Sequence, residues 1–304
     1  MTVKIGIIGS GKVGSAIGVI LNRQGYELAG VYDVVCESTT QLVDQTGCRA
    51  FRDPGQLSRA ADILFITSTD GAIGQVAEHL ADSSSFRNGQ TVIHMSGAHS
   101  AEILGMARKF GARVLSLHPL QSFASLEGAI ESLPGSVFSI EGDKEAHETG
   151  TQLVEAMGGL YFFITADAKP LYHAGACVVS NYLVALIDLG ARLLEATGIS
   201  ADLSSQALMP LVRGTLSNIE KVGIPVALTG PIARGDVATV ARHLERMQEK
   251  VPEMVHLYKT LGLYTVPIAA AKGNINEDKM RKLQELFEPE TDINNRTQRN
   301  DGGG

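Results

Sequence analysis

The sequence predicts an α/β protein: a doubly wound domain followed by an all-helical C-terminal domain. Short apolar runs alternate with helical patterns through residue 165, and strand patterns nearly vanish after Ala166. The chain has 304 residues, which at roughly 150 residues per domain suits two domains. Taken in order, Val3–Ile8, Leu28–Tyr32, Ile63–Thr67, Thr91–His94, Val114–Leu117 and Val137–Ile140 read as strands buried on both faces. A last strand falls at Leu160–Ile164. Helical patterns lie between them at Lys12–Gln24, Cys36–Thr46, Ile73–Leu80, Ala101–Phe110 and Lys144–Met157. Strand–helix alternation of this kind implies βαβ units, a parallel sheet and right-handed crossovers. Residues 167–288 read as successive helices broken at Gly198, Gly223-Ile224-Pro225, Gly230-Pro231 and Gly262. The boundary is placed at Thr165-Ala166-Asp167, giving domains 1–165 and 166–290. The polar, glycine-ended stretch 291–304 is expected to be disordered.

Composition narrows the function. The formal net charge is −7 and neither half is basic, so a nucleic-acid or anionic-membrane partner is not expected. Three scattered cysteines (Cys36, Cys48 and Cys177) form no C-x-x-C pair, which argues against disulfides and structural zinc and suits a cytoplasmic protein. No cluster has metal-ligand spacing, and no signal peptide is expected from Met1-Thr2-Val3-Lys4. The most apolar long run, Ala174–Ala191, is interrupted by Ser180, Asn181 and Asp188 and reads as a buried helix. Glycine is the one excess, 33 of 304 or about 11% against a usual ~7%.

Three of those glycines fall in Gly9-Ser10-Gly11-Lys12-Val13-Gly14, a G-x-G-x-x-G directly after the first strand and opening the first helix. Gly9 permits the tight turn, Gly11 lets backbone amides approach a pyrophosphate, and Gly14 lets the helix pack on the sheet. The helix N-terminus adds partial positive charge. Asp33 ends the next strand, 19 residues beyond Gly14, where an acid hydrogen-bonds an adenosine ribose. This is the Rossmann pattern for a dinucleotide. A carboxylate there favours NAD over NADP within an NAD(P)H assignment, and no Lys or Arg follows between Val34 and Gln45. A triphosphate loop, Gly6-x4-Gly11-Lys12, fails at Val13, where Ser or Thr should hold magnesium.

Ligands of such sheets bind beyond the carboxyl ends of the strands. Thr67, Ser68 and Asp70 follow Ile63–Thr67 and should border the ribose and nicotinamide, although Asp70 also suits a helix cap. His94–Ser100 follows the next strand, where Ser96 could meet a substrate carboxylate or Ser100 could cap a helix. His118, before Pro119, is held extended. Lys169-Pro170-Leu171-Tyr172-His173 opens the first helix of the second domain, with Asp167 as N-cap. On a helical wheel His173 lies about 40° from Lys169 and Ser180 about 20°, and Asn181 falls on the same side. A polar stripe on an apolar helix lines either a cleft or a hydrogen-bonded seam. In Leu228–Asp236, Arg234 could reach an anion and Asp236 could cap the helix running to Lys250.

Together GIIGSGKVGSAI, HMSGAHSAEIL, LHPLQSF, KPLYHAGACVVSNYLVAL and ALTGPIARGD resemble a group of Rossmann-like oxidoreductases with a C-terminal domain of unknown function, the DUF2520 type. The broader relatives are the 6-phosphogluconate, 3-hydroxyisobutyrate and ketopantoate reductase-type dehydrogenases, whose helical C-terminal domain often dimerises. The resemblance implies an NAD(P)-dependent oxidoreductase acting on a small oxo or hydroxy acid, with ketopantoate as one possible substrate, and a homodimer. Those relatives use a lysine and an asparagine on the interdomain helix. The lysine maps onto Lys169, while the position four residues later is His173 and Asn181 comes two turns on. Many relatives end their second strand in Ser-Arg-Ser where this chain has Tyr32-Asp33-Val34, which supports NADP for them. Lys169, His173, Asn181 and Ser96 are therefore the expected catalytic residues. A non-catalytic dinucleotide sensor that dimerises through its helices is the alternative.

Overall fold

A computed structural model describes residues 3–288, and the expected disordered stretch 291–304 lies outside them. The chain divides into two compact units, Met1–Asn181 and Tyr182–Gly304. In the first, seven strands form one sheet: β1 (Lys4–Ile8), β2 (Glu27–Tyr32), β3 (Ile63–Ile66), β4 (Thr91–His94), β5 (Arg113–Pro119), β6 (Val137–Gly142) and β7 (Leu160–Phe163). Their order is β2-β1-β3-β4-β5-β6-β7. The helices of this unit are α1 (Lys12–Arg23), α2 (Thr40–Thr46), α3 (Pro54–Ala60), α4 (Asp70–Asp82), α5 (Gly105–Arg108), α6 (Leu126–Ser132), α7 (His147–Ala156) and α8 (Lys169–Val179). One apolar core joins Ile5, Ile7, Phe65 and Leu115 to Ile17, Leu21 and Leu153 of α1 and α7. A second, on the opposite face, joins Leu64, Ile66 and Val92 to Leu57, Ala77 and Leu80 of α3 and α4. Two cores flanking one sheet are the doubly wound arrangement, and the strands between them are apolar throughout because both faces are covered.

The structure departs from the sequence reading at several points. β6 runs antiparallel to β5, with Pro119 opposite Phe138 and Ser116 opposite Glu141. The connection does not cross a face of the sheet: α6, absent from the sequence reading like α3, packs beside α1, and β6 starts where β5 stops. β7, the last strand of the sequence reading, is exposed along its length because it is the sheet edge. The division between the units falls at Asn181 instead of Thr165-Ala166, since α8 is tied to the sheet by hydrogen bonds from Lys169. Finally, the Ala174–Ala191 run is not a buried helix. Val179 is 70% exposed and Val184 68%, and the segment Ala166–Glu195 is long and apolar enough to cross a membrane, with only 6% of its most apolar 18-residue stretch buried.

The second unit is helical, as expected: α9 (Asn181–Glu195), α10 (Ala201–Val222), α11 (Ile224–Ala227), α12 (Pro231–Arg234), α13 (Val237–Lys250), α14 (Pro252–Ala271) and α15 (Glu277–Phe287). Val240, Val266, Leu283 and Phe287 form its main core. Gly262 is where Phe287 packs against α14; a Cβ there would lie 2.5 Å from the ring. Asp236 caps α13, accepting from the Thr239 amide at 3.1 Å, while Arg234 is exposed.

Candidate active site at the carboxyl edge of the sheet

The glycine loop has the geometry its spacing implies. Gly9 has φ +100°, and a Cβ on it would lie 2.7 Å from the Ser68 amide nitrogen. A Cβ on Gly14 would collide with the Gly9 carbonyl and the Thr67 hydroxyl. Gly11 has nothing within 4 Å of where a Cβ would stand, so open space adjoins the N-terminus of α1, where no side chain caps the amides. The Thr67 hydroxyl closes the loop by donating to the Gly9 carbonyl at 2.6 Å. Asp33 accepts from the Ser10 amide at 2.7 Å, the Ser10 hydroxyl at 3.1 Å and the Val35 amide at 2.9 Å. It therefore holds the loop as well as facing a cleft of about 280 Å³ lined by Gly9, Gly11, Tyr32, Val34, Thr67 and Ser68. The buried Ser68 hydroxyl has no partner among the described residues. An uncapped helix start, a cradle free of side chains and an orphaned hydroxyl in the cleft that the Asp33 carboxylate also lines fit a dinucleotide. Lys12 and Val13, both in the first turn of α1, supply amides there. Asp70 does not cap α4 by the expected geometry. Thr69 is the N-cap and Asp70 is the first helical residue.

A polar cluster occupies the same edge, beyond β4 and β5. Lys169 is 1% exposed, and its ammonium donates to the Ser96 carbonyl at 3.0 Å and to the Ser116 hydroxyl. Burial pushes its pKa down to about 8, opposed by the negative charges of Glu141 and Asp70. His94 accepts the Ser96 amide on Nδ1 and donates from Nε2 to the Ser100 carbonyl at 3.1 Å. Burial first, then the Lys169 charge, pushes it to about 3, so it is a neutral strut. The Ser96 hydroxyl accepts from the amides of Ala98 and His99, each at 3.2 Å. These bonds make a local turn that fixes the carbonyl to which Lys169 donates. Asp167 does not cap α8, whose N-cap is Ala168, but Pro170 stands in the first turn as expected. Ser100 precedes the 3₁₀ turn Ala101–Leu104 without capping it by side chain; the Glu141 carboxylate accepts the Ala101 amide at 2.7 Å instead.

His118 and His173 converge on Gly97. A Cβ at Gly97 would lie 2.7 Å from His118 Nε2 and 2.8 Å from His173 Nδ1, so only glycine fits between the rings. His118 Nδ1 is 2.7 Å from the Tyr172 hydroxyl. Burial, then the charges of Lys169 and His173, push His118 down to about 4. His173 Nε2 stands 3.6 Å from Cys177 Sγ, while its Nδ1 is buried without a partner among the described residues. The expected single stripe does not continue: α8 ends at Val179, and Ser180 and Asn181 are exposed beyond it. Lys169 and His173 are thus brought together with His118 and Tyr172, and Asn181 is not part of the cluster. Glu141 and Ser139 were missed. Strand pairing sets them opposite Ser116 and His118, a consequence of the antiparallel β6 that no local motif announces.

Residues 1–119 match the Rossmann-like domain and residues 136–265 match DUF2520, a domain of unknown function. Among curated proteins none matches the chain. Protein TM1727 from Thermotoga maritima is 27% identical with a TM-score of 0.70, over 88% of this chain and 99% of that one. An imine reductase from Pseudomonas sp. is 18% identical with a TM-score of 0.60, over 95% of this chain and 100% of its own. A reductive aminase from Aspergillus terreus, solved with NADPH and ethyl-5-oxohexanoate, is 18% identical with a TM-score of 0.56, over 94% and 93%.

Proposed function

The chain is a Rossmann-like protein with a C-terminal DUF2520 domain, and on that footing we propose that it is a cytoplasmic NAD(P)-dependent oxidoreductase transferring a hydride to or from a small oxo or hydroxy acid, a ketopantoate-like compound among the candidates. One observation carries the reading. The open glycine cradle and the buried lysine–histidine cluster share one sheet edge, and the negative charge of Asp70, at the start of α4 after β3, favours the charged forms of both Lys169 and His118. Gly9–Gly14 would hold the pyrophosphate, Asp33 the adenosine ribose, and Thr67 to Asp70 would border the nicotinamide ribose. When bound, the dinucleotide supplies the hydride. The residues of the chain do the rest. Lys169 fixes the carbonyl of Ser96 and places positive charge beneath the cluster, and His173 and His118 offer ring nitrogens to the substrate oxygen.

NAD is the favoured cofactor. Asp33 accepts the 2′-hydroxyl and repels a 2′-phosphate, and no Lys or Arg lines the adjoining cleft. A homodimer through the helical unit completes the reading. α10 buries only Ser204 of its 22 residues, and Leu211 on it is 66% exposed. So much apolar surface on one side of a chain suits a second copy. No nucleic acid or membrane partner is proposed. Titration with NADH and NADPH, followed by turnover of a panel of 2-oxo acids at the nicotinamide absorbance, tests the function. An imine reductase and a reductive aminase share the fold, so cyclic imines and ketone–amine mixtures belong in the same panel. Tight dinucleotide binding with no turnover at all would favour the sensor instead.

A further inference from the structure

We propose that His118, held by Tyr172 with its proton on Nε2, is the residue that donates to the substrate carbonyl oxygen, and that Tyr172 is the source of the replacing proton. The proposal deepens the oxidoreductase reading and rests on it. Four observations carry it. Lys169, the obvious acid by sequence, is turned inward and bonded to Ser96 and Ser116. His118 is half-buried at the carboxyl end of β5, and its Nε2 faces the backbone of Gly97 beside the unpartnered Nδ1 of His173. Its other nitrogen is committed to the Tyr172 hydroxyl at 2.7 Å, with the rings 87° apart. Near the phenol, the buried Ser139 hydroxyl belongs to the residue opposite His118 in the strand register and has no hydrogen-bond partner among the described residues.

These contacts select one tautomer. His118 is neutral at pH 7 because burial and the neighbouring Lys169 charge oppose a second proton. The Tyr172 phenol keeps its proton, since burial pushes its pKa up with only partial relief from Ser139. The phenol is the stronger acid of the pair, so its O–H donates to Nδ1 and the single imidazole proton sits on Nε2, on the side of Gly97 and His173. A fixed neutral imidazole can polarise a carbonyl without the cost of holding an ion in a buried site. As the carbonyl carbon accepts the hydride, the Nε2–H bond breaks and the substrate O–H bond forms. Nδ1 takes the Tyr172 proton, and the phenolate is refilled from water. The net change is one hydride and one solvent proton added across the C=O bond.

The test has two arms. In the first, ¹⁵N NMR of the histidine side chains of the full-length protein at pH 7 reads the tautomer without any turnover. The wild type should show His118 with Nε2 protonated and Nδ1 accepting, and Tyr172→Phe should convert it to a mixture. A wild-type signal with the proton on Nδ1, or no change in Tyr172→Phe, overturns the assignment. In the second arm, His118→Ala should lose about 10²–10⁴-fold in kcat with NADH affinity unchanged, as removal of a general acid does. Tyr172→Phe should lose at least about tenfold in kcat, while NADH binding stays at the wild-type value. Full activity in His118→Ala refutes the donor and leaves the oxidoreductase reading intact. A wild-type protein that binds NADH but reduces nothing in the panel refutes both.

Discussion

Replacing Lys169 by Met isolates the energetic effect of the buried ammonium. The gap between about 8 and the ordinary 10.5 corresponds, at roughly 1.4 kcal/mol per tenfold change in proton affinity, to about 3 kcal/mol for keeping the charge at this site. Its two hydrogen bonds, at about 1.5–3 kcal/mol each when one partner is charged, offset that cost in the wild type. Methionine preserves the apolar stem, and the Ser116 hydroxyl, 3.3 Å from the Ser96 carbonyl, stays as a donor for the orphaned acceptor. At pH 7 the variant should therefore lose no more than about 3 kcal/mol. The pH dependence is the sharper signature. Because the folded pKa is depressed, the unfolded chain binds the proton that the folded chain has lost between pH 8 and 10.5, so wild-type stability gains from that site as pH rises. Between pH 7 and pH 10 the wild type should gain about 2–3 kcal/mol relative to Lys169→Met. Urea unfolding of both proteins at the two pH values, followed by circular dichroism, measures this. Comparing the pair cancels buried groups that Lys169 does not act on, such as Tyr258, whose pKa burial raises. Parallel pH profiles for the two proteins would refute the placement of a charged lysine under the cluster.

Gly14→Ala should destabilise the protein by about 1–3 kcal/mol, because its Cβ meets the Gly9 carbonyl and the Thr67 hydroxyl. Gly11→Ala should leave the melting temperature unchanged, since nothing lies within 4 Å of its Cβ, yet weaken NADH binding at least about tenfold. Isothermal titration of Asp33→Ser combined with Val34→Arg should show NADPH binding ahead of NADH, and tighter NADPH binding by the wild type would refute the NAD preference. Some stability should be lost as well, because Asp33 also holds the Ser10 and Val35 amides. Light scattering at micromolar concentration should return twice the chain mass, and Leu211→Glu on the exposed face of α10 should return the chain mass alone.

What the sequence determined by itself was whatever is encoded locally. Strand β1, the glycine turn and α1 are contiguous, and the demands on Gly9, Gly11 and Gly14 are backbone demands that residue type alone reveals. Apolar runs located all seven strands, and for the inner ones the reason is that burial on two faces disfavours polar residues whatever the partners. Lys169 and His173 were legible as one face of one helix. What the tertiary structure alone decided was direction and company. No residue within β6 states that it runs against β5, yet that reversal sets Glu141 beside Ser116 and Ser139 beside His118. The Ser96 carbonyl meets the Lys169 ammonium only because α8 packs back onto the sheet, a contact between distant parts of the chain that no motif specifies. Asn181 seemed part of the stripe only while the helix was taken as continuous, and the chain interrupts it at Ser180. Lys169 looked like a free acid until packing buried it, and His118 looked like one of eight histidines until Tyr172 was brought to its Nδ1. Patterns along a chain report which side chains want burial; pairing across the sheet decides which of them meet.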